Sequence, residues 1–210
     1  RSAGGECVFR DVWDPVRNEK GWEEKSLSEL LDFLTSGSRG WARYYSETGD
    51  IFLRIQNIGY NFLKLADLTY VDAPESTESK RTRVQEGDII LSITADLGRT
   101  AVIPANFPIA YINQHLAILR LKKEYSPFYI SQYLSSPGGS RQFNIRNKGG
   151  VKAGLNFTDI KSIIVPLPPN DLQLKYQKTI SVIDSQKKLT QSSFQKSEEL
   201  FQSLLQRAFR

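Results

Sequence analysis

The sequence predicts an α+β protein: a mixed, largely antiparallel sheet domain with short helices, followed by one long C-terminal coiled-coil helix. Three observations carry this. Short apolar runs recur between Ile51 and Leu121 with few helical stretches among them, which favours antiparallel or mixed pairing over a parallel strand–helix wrap. Ser-marked starts place short helices on either side of that strand-rich stretch. Residues 170–210 contain neither Pro nor Gly and follow a proline brake, Pro166-Leu-Pro168-Pro169.

Residues 1–20 show no clean period, mix both charges around Gly4-Gly5 and Asp14-Pro15, and read as an N-terminal tail or linker remnant. A domain over residues 21–169 begins at Gly21-Trp22. Ser26 and Glu29 have capping-box spacing, Leu27, Leu30, Leu31 and Leu34 share one helical face, and Gly37 stops the helix predicted there. The segment from Ser36 to Tyr45 is a loop dense in Arg and aromatic residues, a combination that clamps phosphates and stacks on bases; Trp41 and Tyr45 read equally well as core residues.

Ile51–Ile58 alternates as a strand, with Arg54 and Gln56 opposite Ile51, Leu53 and Ile55, and Leu65–Val71 follows as a second. Asp72–Arg83 is polar and aperiodic, hence a predicted exposed loop. Asp88–Thr94 and Thr100–Ile103 are strands joined by a tight turn, and Ile109–Asn113 and His115–Leu121 add two more. Ser126-Pro127 supplies an N-cap and a first-turn proline for a helix through Leu134. Gly138–Gly154 is a basic, glycine-punctuated stretch, and the apolar run Ile163–Leu167 leads into the long helix.

That helix is predicted to start at Asn170, which stands three residues before Gln173 in capping-box spacing. Tyr176, Ile180, Ile183, Lys187, Thr190, Phe194, Ser197, Phe201, Leu204 and Ala208 alternate spacings of four and three, a heptad seam that turns polar in its middle. Asp171–Ala208 would form a rod roughly 57 Å long, which outruns the domain and leaves an apolar stripe in need of a partner helix.

A net charge of +5, with 40% apolar and 24% charged residues, suits a soluble globular chain and permits a polyanionic partner. No apolar run reaches the ~18 residues of a membrane span and no secretory leader is visible; with a single cysteine, Cys7, a cytoplasmic location is expected. The chain starts at Arg1 and lacks Met, so it is read as processed or as a piece of a longer polypeptide. One histidine, His115, and one cysteine cannot build a His/Cys zinc cluster, and neither metal nor cofactor is expected. There is no phosphate-cradling GxxxxGK[ST], no GxGxxG after a strand, and no Asn-Pro-Pro-aromatic motif. Glu23-Glu24-Lys25 lacks the Pro-Asp pair of a nuclease site, Ser92 and Thr94 lie on no nucleophile elbow, and His115 reads as a strand-end residue with satisfied hydrogen bonds. The reading is binding without catalysis.

Three basic clusters point to nucleic acid: Arg39, Arg43 and Arg54; Lys80, Arg81 and Arg83; and Arg141, Arg146, Lys148 and Lys152, the last group within an acid-free stretch from Gly138 to Thr158.

Gly21-Trp22 with the helix ending at Thr35-Ser-Gly-Ser-Arg39, the strand Phe52-Leu-Arg-Ile-Gln-Asn57 and the turn-strand Gly87-Asp-Ile-Ile-Leu-Ser-Ile occur here in one order. So do Tyr111-Ile-Asn-Gln-His-Leu-Ala, Leu155–Pro168 and the long helix. In that order they resemble the specificity subunit of type I restriction–modification systems, over about Gly21–Arg210. The Glu-Gln pair often found after the proline stop is replaced here by Asp171-Leu172-Gln173. The resemblance implies a target recognition domain over residues 21–169 and a spacer and dimerisation helix over residues 170–210. The chain would be half of a subunit whose two helices lie antiparallel and hold two reading heads over a bipartite DNA target. It implies no catalysis by this chain. Its partners would be double-stranded DNA, modification (methyltransferase) subunits, restriction subunits indirectly, and a second specificity unit, as a homodimer or a covalently linked other half.

The DNA-contacting candidates under that resemblance are Arg39, Arg43, Tyr44, Asn57, Lys80, Arg81, Arg99, Arg141, Arg146, Lys148 and Lys152, because Arg suits guanine, Asn and Gln suit adenine, and Lys and Arg set register on phosphates. The helix-pairing candidates are Tyr176, Ile180, Ile183, Phe194, Phe201 and Leu204. The contrasting expectation is a protein–protein scaffold that uses the coiled-coil helix and has no DNA role of its own.

Overall fold

A computed structural model of the chain describes residue 18, residues 20–147 and residues 154–208, the last helix without the side chains at 184, 187, 188, 191 and 208. These residues fall into two units, one reaching Pro168 and the other starting at Pro169.

The first unit is α+β and carries three small sheets. Glu23–Ser26 (β1) pairs antiparallel with Ile164–Leu167 (β10), which closes the two ends of the unit on each other. A four-stranded antiparallel sheet has the order Leu31–Ser36 (β2), Leu116–Leu121 (β9), Ile89–Ser92 (β6), Thr100–Val102 (β7). The other four-stranded sheet orders Tyr45–Ser46 (β3), Thr69–Val71 (β5), Asp50–Leu53 (β4) and Ala110–Ile112 (β8), with β4 and β8 parallel and the rest antiparallel. The main core lies between these sheets, where Leu53, Ile58, Ile90, Ile112, Leu116 and Ile118 are all fully buried. A second cluster joins Trp41, Phe52, Val71 and Tyr111.

Several boundaries differ from the sequence-based expectation. The Ser26–Glu29 box is present, the Glu29 carboxylate accepting from Ser26 N at 2.9 Å and Oγ at 2.7 Å, but it opens only one turn, Leu27–Leu30 (α1). The chain extends at Leu31 because pairing with β9 satisfies the backbone of Leu31–Ser36 and outweighs helix propensity. The strand expected over Ile51–Ile58 ends at Leu53 and gives way to a 3₁₀ turn, Ile55–Asn57, and the one expected over Leu65–Val71 shrinks to β5.

The stretch Asp72–Arg83 is not a bare loop. It holds a helix, Thr77–Thr82 (α2), capped by Ser76, whose hydroxyl accepts from Ser79 N at 3.1 Å. Pro127–Leu134 (α3) starts as expected, with Ser126 as cap. The glycine-punctuated stretch from Gly138 begins within a helix, Pro137–Arg146 (α4), capped by Ser136. Gly139 is needed there because a Cβ would lie 2.1 Å from the Leu134 carbonyl oxygen. A short helix, Phe157–Lys161 (α5), then leads to β10.

One charged pair is built into this unit. Asp88 has no exposed surface, and its carboxylate accepts from Arg120 Nε at 2.7 Å, Arg120 Nη2 at 2.8 Å and Gln85 N at 2.7 Å. The Arg120 guanidinium also lies over the Phe33 ring at 5.1 Å. This fork ties β9 to the start of β6.

The second unit is one helix of 39 residues, Asn170–Ala208 (α6), about 58 Å long. It starts where expected, but the first amide acceptor is the Pro169 carbonyl, which receives Leu172 N at 3.0 Å and Gln173 N at 3.1 Å. Among the described residues no helix is long and apolar enough to cross a membrane.

Candidate nucleic-acid interface

The site grows from the segment that leaves β2. Gly37 passes flush against the β8–β9 turn, where a Cβ would meet the Asn113 carbonyl oxygen at 2.2 Å. Gly40, at φ +90, then starts a 3₁₀ turn over Trp41–Tyr44. Trp41 turns inward, stacked on Phe52 at 5.2 Å and tilted on Tyr111 at 5.2 Å. Of the two open aromatics, Trp41 is therefore core, whereas Tyr45 is half exposed. With Trp41 as anchor, Arg39 and Arg43 stay on the surface, and the Arg43 guanidinium lies 4.8 Å from the Tyr44 ring centre.

Helix α2 is fastened beside this turn by Arg81. Its guanidinium donates to Thr35 Oγ1 at 2.5 Å, the Ser36 carbonyl at 2.6 Å and Ser38 Oγ at 2.7 Å. The result is a small cleft whose rim includes Arg39, Arg43, Tyr44, Ser76 and Glu78. Lys80 is exposed on the same short helix, and Arg83 follows it, also exposed. Among the described residues Arg39, Arg43 and Lys80 have no carboxylate within ion-pair distance. Two of the three predicted basic clusters thus converge, leaving Arg54 apart with Asp67 at 3.9 Å.

Four candidates are corrected by their surroundings. Asn57 is 1% exposed; its Oδ1 accepts from Arg54 N at 3.0 Å, and its Nδ2 donates to the Lys64 and Asp67 carbonyls at 3.2 and 2.8 Å. It holds a turn and cannot reach a base. Arg81 spends its donors on the three acceptors just named. Arg99 is ion-paired with Asp96, donates to the Ile58 carbonyl at 3.2 Å and lies over the Tyr60 ring at 5.8 Å. Arg146 donates to Ser162 Oγ and its carbonyl, both at 2.6 Å, and to the Gln142 carbonyl at 3.1 Å, which locks α4 to the end of α5. Arg141 is exposed on α4, while Lys148 and Lys152 lie outside the described residues.

A polar group that the basic-residue pattern does not mark lies at the end of the β2–β9–β6–β7 sheet. His115 Nδ1 is 2.7 Å from Thr94 Oγ1, and its Nε2 is 3.1 Å from Gln114 Nε2. The expectation that His115 is hydrogen-bonded at a strand end agrees with this geometry. No group of three or more His, Cys, Asp or Glu among the described residues could hold a metal ion.

On α6 the expected seam divides. Tyr176 and Ile180 are buried, at 8% and 5% exposure. Ile183 is half-buried, and Phe194, Phe201 and Leu204 are exposed.

Comparison with known proteins places the chain in a family. Residues 19–199 match the family described as "Type I restriction modification DNA specificity domain". The chain is 25% identical over 198 residues to the type I restriction enzyme EcoBI specificity subunit of Escherichia coli, covering 90% of this chain and 41% of that protein. Among solved structures, a chain of a type I R-M system superposes with a TM-score of 0.60 at 21% identity, over 79% of this chain and 39% of that one. The HsdS subunit from Thermoanaerobacter tengcongensis superposes with a TM-score of 0.54 at 22% identity, over 79% and 38%. The chain therefore spans less than half the length of the proteins it matches.

Proposed function

We propose that this chain, which belongs to the type I restriction modification DNA specificity domain family, serves DNA sequence recognition and reads one half of a bipartite target as half of a specificity subunit, without catalysis of its own. The reading rests chiefly on one observation: Arg39 and Arg43, exposed and without a carboxylate partner among the described residues, line the Tyr44 cleft, and Lys80 is exposed on the helix that contributes Ser76 and Glu78 to its rim. In this role they neutralise phosphates and set register, while neighbouring polar side chains meet base edges.

The long helix supplies the assembly half of the proposal. At about 100° per residue, Ile183, Phe194 and Phe201 fall within about 20° of one another on the helix wheel. Val182, Leu189 and Leu200, exposed at 56%, 71% and 61%, form another stripe. It lies about 110° around the helix from the first. Two stripes favour two partners: the helix of a second specificity unit on one and a modification subunit on the other.

The test is duplex binding by the assembled complex with and without this chain, together with mapping of methylated sites in host DNA. We expect a preferred sequence and an affinity that falls steeply between about 50 and 200 mM salt. A complex whose DNA affinity is the same without this chain would reduce the chain to a scaffold.

A further inference from the structure

Helix α2 brings a carboxylate to the cleft that holds the two arginines. Glu78 is half-buried and lines this cleft together with Arg39, Arg43 and Tyr44. Its carboxylate makes no ion pair or hydrogen bond among the described residues, and its buried Oε1 has no partner there. Buried polar atoms are nearly always hydrogen-bonded, so an idle oxygen at a cleft calls for a partner from outside the chain.

The backbone beneath Glu78 is fixed. The Ser76 hydroxyl caps the helix by accepting from Ser79 N at 3.1 Å, and Thr82 Oγ1 donates to the Glu78 carbonyl at 2.8 Å. Ser79 and Thr82 are buried, and Arg81 ties the same helix to the end of β2. Such anchoring lowers the cost of ordering this segment in an interface.

The mixture of charges narrows the ligand. Glu78 would repel a free phosphate, and Arg39 and Arg43 would repel a cationic side chain. A nucleotide within a duplex suits both signs, because it carries an anionic phosphate and can present an N–H donor on its base edge. In the major groove guanine shows N7 and O6 acceptors, thymine shows an O4 acceptor, and adenine sets N7 beside its amino group. Cytosine shows its N4 amino donor alone, the group from which a Glu carboxylate accepts.

We infer that Glu78 reads cytosine in the major groove by accepting from its N4 amino group, while Arg39 and Arg43 hold adjoining phosphates. This rests on the recognition role proposed above. Glu78 lies outside the sequence segments on which the family resemblance rests, so the contact sets the target of this chain and is not part of the shared frame.

The test is selection of bound sequences from a randomised duplex library by the assembled methyltransferase carrying the full chain. The parent should select a defined sequence with cytosine at one position, where Glu78→Ala lowers the preference by about 5- to 150-fold and leaves the others unchanged. Glu78→Gln keeps the side-chain shape, so it carries the test should alanine upset the fold; it should move that position toward adenine. Glu75→Ala removes an exposed carboxylate outside the cleft and should change no position. An equal relaxation in Glu75→Ala would reduce the effect to net charge and overturn the inference. So would Glu78 variants that keep the parent's preference everywhere, shift affinity equally for all sequences, or relax a position other than cytosine. In each of those cases the parent's selected sequence still supports the recognition role. A parent complex that selects no sequence overturns that role, and this inference with it, whatever the variants do.

Discussion

Replacing Arg39, Arg43 and Lys80 together by Ala should lower the salt dependence of DNA binding by a calculable amount. All three are exposed and have no carboxylate partner among the described residues, so each is free to displace one counterion from DNA. Each phosphate neutralised contributes about 0.9 to the slope of log K against log salt, so the triple change should flatten the slope by about 2.7. Between 50 and 200 mM salt the parent should therefore lose about 40-fold more affinity than the variant does. The measurement is fluorescence anisotropy of a labelled duplex titrated with the assembled complex at several salt concentrations. Arg81→Ala is the internal contrast, because its guanidinium already serves Thr35, Ser36 and Ser38. It should lower the melting temperature and leave the slope nearly unchanged. A triple variant with the parent's slope would place the phosphate contacts elsewhere and refute the reasoning.

Arg120→Ala leaves the Asp88 carboxylate buried and unpaired, and should cost about 3–5 kcal/mol in urea unfolding; a loss under about 1 kcal/mol would contradict the account of that pair. A Phe194→Asp/Phe201→Asp double change should abolish association through α6, read by size exclusion with light scattering; a parent that is already monomeric would assign the stripe to a different chain. The Glu29 carboxyl is held below its ordinary value of 4.5, first by the Ser26 side chain and then by its backbone N–H. Its contribution is in place above 4.5 and is lost as pH falls through the depressed folded value, so Ser26→Ala should raise the Glu29 titration midpoint followed by NMR.

Local signals were legible in the sequence where the deciding partner was close along the chain. The Ser126 cap with its following proline and the tight turn after Ser92 depend on neighbours within a few residues, and the structure has both. The proline brake and the start of α6 are of the same kind. The misjudged boundaries are those that a distant strand decides. Leu31–Ser36 has helical spacing and becomes a strand because β9, some eighty residues on, offers a ladder.

The same distinction sorts the arginines. By residue type Arg39, Arg43, Arg81, Arg99 and Arg146 are alike. Arg81 is committed by acceptors more than forty residues earlier, and Arg146 by a serine sixteen residues later. Asn57 was misread in the same way, since its acceptors appear only once the chain folds back at Lys64 and Asp67.

These commitments follow from an architecture of three small sheets. Wherever the chain leaves one sheet for another, backbone groups lose their ladder and need side-chain partners. Arg81 supplies donors where β2 ends, Asn57 where β4 has ended, and Asn113 an acceptor between β8 and β9. The apolar cores, by contrast, lie within the strands, at residues such as Leu53, Ile90 and Ile118. The exposed ends of these polar joints are also where Arg39 and Arg43 stand. Changing either of those two leaves the cores untouched, whereas changing Arg81 or Asn57 strips a buried or half-buried joint of its partner. In this domain, exposed side chains such as Arg39 and Arg43 can therefore vary at little cost in stability, provided the polar residues one step behind them stay in place.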